Sequence, residues 1–264
     1  KFLEINLKRF SVFDNNHALT LETQEGQIVE NFSSNLLSYY ILNKGKILGV
    51  LLYNEDNLII TYKYFNRQFE INKHNEEFIL YDVNDCVNLK TFSCAVEDKI
   101  KTVSQKSNFS QLNTNPTCVQ LAIEIDYYTY TTFSSVNQAV FWAHAIIAGV
   151  SQVFYSEMNI NIIISHTVIW TVADPYESII DSAVVMLNAI KDFWILNRSN
   201  ISRDLVHLLS KRTNTGTGGI AFLDVLCSNN SGYAFSSALN NDTTFVFPNP
   251  SFTWNIFVVC HEIG

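Results

Sequence analysis

Cys118-Val119-Gln120-Leu121-Ala122-Ile123-Glu124-Ile125-Asp126 is the stretch from which the fold can be read. Val119, Leu121, Ile123 and Ile125 alternate with Gln120, Ala122, Glu124 and Asp126, the pattern of a half-buried strand. Downstream the period changes. Ser135 and Gln138 have capping-box spacing, and Val136, Val140, Ala143, Ile147, Val150 and Phe154 recur as one stripe of a helix. Ile160 to Thr171 is nearly uninterrupted and β-branched, as a strand covered on both faces would be, and Asp174-Pro175 ends it. A second helix is predicted from Ser178, with Asp181 at its cap, along the stripe Ile180, Val184, Leu187, Ile190 and Trp194. Asp204 to Leu209 and Ile220 to Leu226 read as further strands, the second after the Thr- and Gly-rich run Thr213 to Gly219. Strand, helix, strand, helix, strand, strand, helix is the order of an α/β (α+β) layer on a mixed, mainly parallel twisted sheet with flanking helices. An edge strand and a closing helix can frame a cleft in such a layer.

Upstream the texture differs. From about Asn16 to Val83, short β-like runs are separated by turn residues: Ala18 to Glu22, Ile47 to Tyr53, Leu58 to Tyr64, Phe69 to Ile71 and Phe78 to Val83. Lys44-Gly45-Lys46 and Asn54-Glu55-Asp56-Asn57 supply turns, so an antiparallel meander is expected, with no clustered catalytic residues. Asn84 to Pro116 is polar and weakly periodic and reads as a linker. The expected division is therefore a β-rich unit with its linker over residues 1–112 and an α/β unit over 113–264.

Composition bounds the function. The 264 residues are 47% hydrophobic and 13% aromatic, ample for packed cores. A net charge of −8 without any run of Lys or Arg argues against nucleic acid or an anionic membrane surface as partner. The longest apolar stretches, Ala139 to Val150 and Ile160 to Val172, are shorter than a bilayer-spanning helix of about 18 residues. Cys86, Cys94, Cys118, Cys227 and Cys260 show no C-x-x-C spacing, which removes zinc-ribbon and thioredoxin-like readings.

The last four residues, His261-Glu262-Ile263-Gly264, match the first four of the zinc motif H-E-x-x-H. Histidines four apart on a helix share one face and can offer two imidazoles to one zinc, while the Glu between them serves as general base. The second histidine would be residue 265, and the chain begins abruptly at Lys1 in what reads as ordinary sequence, so both ends read as truncated. Pro248 and Pro250 interrupt what precedes, Ser251 can cap a helix, and Trp254, Phe257, Val258 and His261 recur at helical spacing, which places His261 on a buried stripe.

Gly218-Gly219-Ile220-Ala221 running into Leu226-Cys227, then Gly232-Tyr233-Ala234-Phe235-Ser236, then Ser251-Phe252-Thr253-Trp254-Asn255 leading into His261-Glu262-Ile263-Gly264, together resemble the metzincin metallopeptidases, most closely the adamalysin (reprolysin)-like branch with its bacterial secreted members. The resemblance covers roughly residues 117 to 264, and the first 110 residues resemble a β-rich propeptide. It implies a secreted, extracellular, monomeric zinc endopeptidase acting on protein or peptide substrates. The motif would continue H-E-x-x-H-x-x-G-x-x-H into a Met-turn. By that resemblance His261 is the first zinc ligand and Glu262 activates a zinc-associated water and passes its proton to the leaving amine. Gly219, Ile220, Ala221, Phe222 and Leu223 would form the sheet edge along which an extended substrate adds as a strand. Cys227 would be half of a disulfide whose partner follows the motif.

With one of three histidines present, residues 1–264 alone are expected to bind zinc weakly and to be inactive. His144, His166 and His207 lie at no ligand spacing and read as structural, Asp174 as a turn former, Asp204 as a strand-end residue, and Cys260 as a small hydrophobe under the last helix. Cys86 and Cys94 stand in no recognisable switch segment for a thiolate that blocks zinc. Two alternatives remain: a secreted non-catalytic α/β binding module in which the His-Glu is incidental, and a thermolysin-like clan whose third ligand is a later Glu.

Overall fold

The structure is a computed structural model and describes residues 5–30, 35–74, 77–86, 117–226, 228, 230–239 and 252–264. In chain order the strands are β1 (Asn6–Phe10), β2 (Phe13–Thr23), β3 (Gly26–Glu30), β4 (Leu37–Asn43), β5 (Lys46–Tyr53), β6 (Leu58–Tyr64), β7 (Arg67–His74), β8 (Glu77–Asp82), β9 (Thr117–Ile125), β10 (Ile160–Trp170), β11 (Leu205–Leu209), β12 (Gly219–Ala221) and β13 (Tyr233–Ser236). The helices are α1 (Tyr127–Thr131), α2 (Val136–Met158), α3 (Ala183–Asn197) and α4 (Phe252–Ile263).

Two sheets result. The first, ordered β1-β4-β5-β6-β7-β8, is antiparallel throughout and contains the runs expected in a meander from Ile47 onward, whereas the run Ala18 to Glu22, expected in the same meander, lies in the other sheet. Gly45, at φ +78°, makes the β4–β5 turn that Lys44-Gly45-Lys46 announces. The second sheet is ordered β12-β13-β11-β9-β10-β2-β3. Its central pairs are parallel, and only the outermost pairs, β12–β13 and β2–β3, are antiparallel. The mainly parallel twisted sheet predicted from the sequence is therefore present, with one strand more than foreseen at its cleft end, β13.

Strands from both sides of the expected boundary share this second sheet, because β2 and β3 continue it beyond β10. The boundary itself, near residue 112, lies outside the described residues, as do Cys94, Cys227 and Ser251. The β2–β10 seam is polar on both faces. On the α2 side, Thr167 Oγ1 lies 2.9 Å from His17 Nε2 and 2.8 Å from His144 Nε2. On the α3 side, Thr20 Oγ1 lies 2.8 Å from His166 Nε2, and Arg198 donates to Glu22 at 2.6 Å.

One continuous core joins the sheets. Val12, Val50, Leu52 and Ile59 from the N-terminal strands pack in the same cluster as Leu121, Ile123, Trp142, Ile146, Phe252 and Val259. A second core under α3 gathers Met186, Leu187, Ile190, Trp194, Val206 and Phe235. Helix α2 starts at Ser135, whose Oγ accepts the Gln138 N–H, as its capping-box spacing predicts. At 23 residues it is long and apolar enough to cross a membrane, a property missed when its apolar run was counted from Ala139 to Val150. It is buried in this fold over 78% of its most apolar window, as a core helix that is hydrophobic on all sides must be.

Helix α3 corrects the sequence reading. Its cap is Ser182, not Ser178, since Asp181 takes a left-handed φ of 56° and cannot continue a helix. Leu187, Ile190 and Trp194 are buried as predicted, whereas Ile180 and Val184 are exposed.

The buried histidines make stability depend on pH. Burial, then the charges of His17 and Arg198, hold His166 down at about 4; burial holds His207 down at about 3, and His144 also well below 6.5. A depressed histidine contributes stability that is complete above its unfolded pKa near 6.5 and is lost as the pH falls toward its folded value. Glu262, raised to about 8, and the buried carboxyls of Glu124 and Asp126, raised by burial, oppose this. The His166 contribution is therefore read as the stability difference between wild type and His166→Asn, which is expected to climb by on the order of 3 kcal/mol between about pH 4 and 6.5. Urea unfolding at half-unit pH steps checks this, and a flat profile would refute it.

Candidate active site

Helix α4 brings the His-Glu pair to the mouth of a cleft. The helix packs on α2, where Gly149 leaves room: a Cβ there would sit 2.4 Å from Ile256 Cδ1. The other side of α4 rests on β12 and β13. Its buried face consists of Phe252, Asn255, Ile256, Val258, Val259 and Glu262, while Phe257 and His261 are exposed. The predicted stripe through Trp254, Phe257, Val258 and His261 is thus rotated. So few polar residues stand in α4 that its periodicity does not define a face, and the fit of Phe252 and Ile256 against Gly149 decides it instead.

Glu262 is 5% exposed, and its Oε1 has no hydrogen-bond partner among the described residues. The carboxyl lies directly on Gly219, where an added Cβ would come within 2.5 Å of that same oxygen. Burial pushes the Glu262 carboxyl up to about 8. Glycine at 219 is therefore required by a close approach, which gives the first residue of the predicted edge strand a role in seating Glu262.

The cleft, about 830 Å³, opens between the end of α4, β12 and the segment after it, and the N-terminal ends of β9, β10 and β11. Ala221, Phe222 and Leu223 line it together with His261 and Glu262, so three of the five residues expected to bind substrate border the His-Glu pair. Gly219 and Ile220 do not line the cleft; Ile220 is buried toward α3. The strand ends at Ala221 rather than running to Leu226, and β12 is the terminal strand of the sheet, paired only with β13 among the described residues. A second cleft, about 910 Å³, lies between β5, β6 and the end of α2, away from the His-Glu pair.

The other predicted residues take structural places. His207 borders the cleft but is fully buried, with Nε2 2.8 Å from Ser236 Oγ. Asp204 ends its strand and accepts the Gln120 N–H at 2.7 Å. Asp174 accepts the Tyr176 N–H at 2.8 Å as a turn former, and in addition pairs with buried Arg212 at 3.1 Å, which spacing alone does not reveal. Cys260 packs partly buried against the core, its thiol pushed up to about 12, and burial together with the Glu70, Asp82 and Asp85 charges raises Cys86. Such thiols are poor metal ligands.

For a metal, the donor chemistry is partial. His261 supplies an imidazole and Glu262 an orphaned carboxylate oxygen beside it. No group of three or more His, Cys, Asp or Glu side chains placed to hold an ion occurs among the described residues. These residues by themselves do not complete a metal site.

Comparison with curated proteins gives no match. Among solved structures, the crystal structure of metalloproteinase-II from Bacteroides fragilis aligns over 97% of this chain and 74% of its own, at 10% identity and a TM-score of 0.44. The family model Reprolysin_5, described as metallo-peptidase family M12, matches residues 115–264, which is more than half of the 264-residue chain and holds β9 to β13, α1 to α4 and the His-Glu pair. The chain belongs to metallo-peptidase family M12.

Proposed function

We propose that the chain carries the N-terminal part of a zinc-dependent endopeptidase of the metzincin type, adamalysin-like and secreted, with residues 1–112 as its propeptide-like unit and linker. The observation that carries this reading is the placement of His261 and Glu262 at one end of a cleft whose wall is formed by the segment leaving the terminal, antiparallel strand β12. An extended peptide laid antiparallel to β12 would gain main-chain hydrogen bonds whatever its side chains, which suits an endopeptidase of broad sequence tolerance. Ala221, Phe222 and Leu223 would contact its side chains, and Gly219 and Ile220 would support the edge from within the sheet.

Bound zinc, with His261 as one ligand, would supply the Lewis acidity that polarises the scissile carbonyl. Glu262 takes the proton from the attacking water and returns it to the departing amine. A carboxyl raised to about 8 by burial is matched to that exchange near neutral pH. Gly219 keeps the carboxyl in place, since any side chain there would displace it.

Two polypeptides test the proposal: residues 1–264, and the same chain extended with His at 265 and 271 and Gly at 268. The shorter one is expected to hold well under one equivalent of zinc by elemental analysis and to leave denatured casein intact. The extended one is expected to hold one equivalent and to cleave. Stoichiometric zinc with turnover in the shorter chain overturns the partial-site argument. An extended chain that takes up no zinc overturns the peptidase reading in favour of a binding module.

A further inference from the structure

The most distant contact made by helix α4 is at its first turn. Glu70, on β7 of the antiparallel sheet, is fully buried, and its carboxylate accepts the Thr253 N–H at 2.9 Å and the Phe252 N–H at 3.2 Å. The same carboxylate accepts the Tyr81 hydroxyl at 2.6 Å and the Asn72 side-chain amide at 2.5 Å. Beside it, Thr61 Oγ1 meets Thr253 Oγ1 at 3.2 Å and accepts from the Gln68 amide at 2.5 Å.

The first N–H groups of a helix have no partner within it, and the helix dipole favours negative charge at that end. A residue just before the helix ordinarily supplies the cap. Here a carboxylate from 182 positions away, on a strand of the antiparallel sheet, accepts from the first turn and is itself held by two donors that leave it little freedom. Within the N-terminal sheet the carboxylate accepts from the buried Tyr81 hydroxyl and Asn72 amide, and beyond the sheet it accepts from α4. Tyr81 is driven well above its ordinary value, by burial first and then by the Glu70 charge beside it, so its hydroxyl stays a neutral donor to that carboxylate. The feature that matches the charge is the start of α4.

We infer that Glu70 is a positioning residue for the site-bearing helix: the N-terminal sheet anchors the first turn of α4 through this carboxylate and so sets where His261 and Glu262 stand at the other end. The inference rests on the reading of α4 as the helix of the zinc motif. From Phe252 to His261 the helix runs roughly 14 Å at 1.5 Å per residue, a rigid span held at three points. Glu70 holds its start, the Gly149 gap its middle, and Gly219 its end. A shift at the first turn therefore travels along the rod to Glu262, whose carboxyl has no spare room against Gly219. The N-terminal unit is in this account a template for the catalytic helix, and chain cleavage followed by departure of that unit would uncap it.

Backbone hydrogen exchange at residues 252–256, with no metal added, reads the cap directly. Glu70→Ala is expected to speed exchange there by tenfold or more, with little change in β9. Glu70→Gln keeps one acceptor oxygen and should restore most of the protection. The ring signal of His261, followed by nuclear magnetic resonance, is expected to move in Glu70→Ala and return in Glu70→Gln. Ile41→Ala, a buried β4 position outside the core cluster that holds Phe252 and Val259, serves as the control and should leave both readouts unchanged. Wild-type exchange and ring signal in Glu70→Ala, or the same changes in Ile41→Ala at equal global stability, overturn the inference. Because these readouts need no metal, failure of the extended chain to take up zinc would remove the zinc reading and leave the response of 252–256 standing.

Discussion

Arg198→Ala is expected to lower the unfolding free energy by about 3–5 kcal/mol, the range for removing one partner of a buried ion pair. Arg198, 2% exposed, donates to Glu22 at 2.6 Å and reaches Glu124 at 3.5 Å, and its guanidinium lies 4.7 Å from the Phe193 ring and 5.2 Å from those of Trp170 and Trp194. Glu124 is wholly buried and also accepts both indole N–H groups of Trp170 and Trp194 and the Tyr176 hydroxyl. Burial pushes its carboxyl up, and Arg198 is the first of the groups drawing it back down. Without the guanidinium two carboxylates remain in an apolar pocket with their charges uncompensated. Arg198→Lys, which keeps the charge but lacks the flat fork and the ring stacking, should fall between. Adding Glu22→Gln and Glu124→Gln to Arg198→Met should recover part of the loss, because the stranded charges go with it. Urea unfolding at pH 7 measures all of these, and a loss below about 1 kcal/mol in Arg198→Ala would show the pocket to be better hydrated than its burial implies.

Glu262→Gln, in a chain extended through the full motif, is expected to reduce kcat/KM about 10²–10⁴-fold, the usual contribution of a positioned general base. Zinc content should stay the same, since this residue is not a ligand in the proposed site. Thermal stability should hold or rise slightly at pH 8 and above, where the wild-type carboxyl pays for ionising against Gly219 and a neutral amide does not. Loss of activity without loss of fold or metal separates a base from a scaffold residue. Activity within tenfold of wild type would remove Glu262 from that role.

Local sequence placed several elements well. The alternation from Val119 to Ile125 found β9 but not its burial, since Ala122, Glu124 and Asp126 are buried too and the strand is covered on both faces rather than half-buried. Ser135 with Gln138 found the start of α2, and the run Leu58 to Tyr64 matches β6 residue for residue. Where both faces are covered, periodicity carries less. Tyr233–Ser236 is buried at every position, so β13 showed no alternation, although its residues stood among those that carried the family resemblance. The end of α4 misled for a related reason. With Phe252, Trp254, Ile256, Phe257, Val258 and Val259 all apolar, the surfaces of α2 and of β12 and β13 select the buried face, and Gly219 on β12 receives Glu262 while His261 is exposed.

Pairings across long stretches of chain leave no local trace at all. Nothing in Phe13–Thr23 says that it lies parallel to β10, and nothing around Glu70 says that it faces Thr253. The His-Glu pair was legible because a five-residue motif is local. The glycine that seats Glu262, the carboxylate that caps α4 and the buried arginine under α3 were not, because each draws its meaning from a partner brought close by the fold.

The place of β2 has a consequence for how the chain acquires its structure. His17 meets Thr167 across 150 positions, so this strand, made well before its neighbour, finds it only after β9, α2 and β10 exist. Until then Phe13–Glu30 is a lone two-stranded ribbon, marginal by itself. The closing of β2 onto β10 is thus a late, high-contact-order event that slows folding. A chain started after β3 would mature with the β10 edge open, Thr167 and Trp170 included, and an open parallel edge of that length is a template for association with other chains.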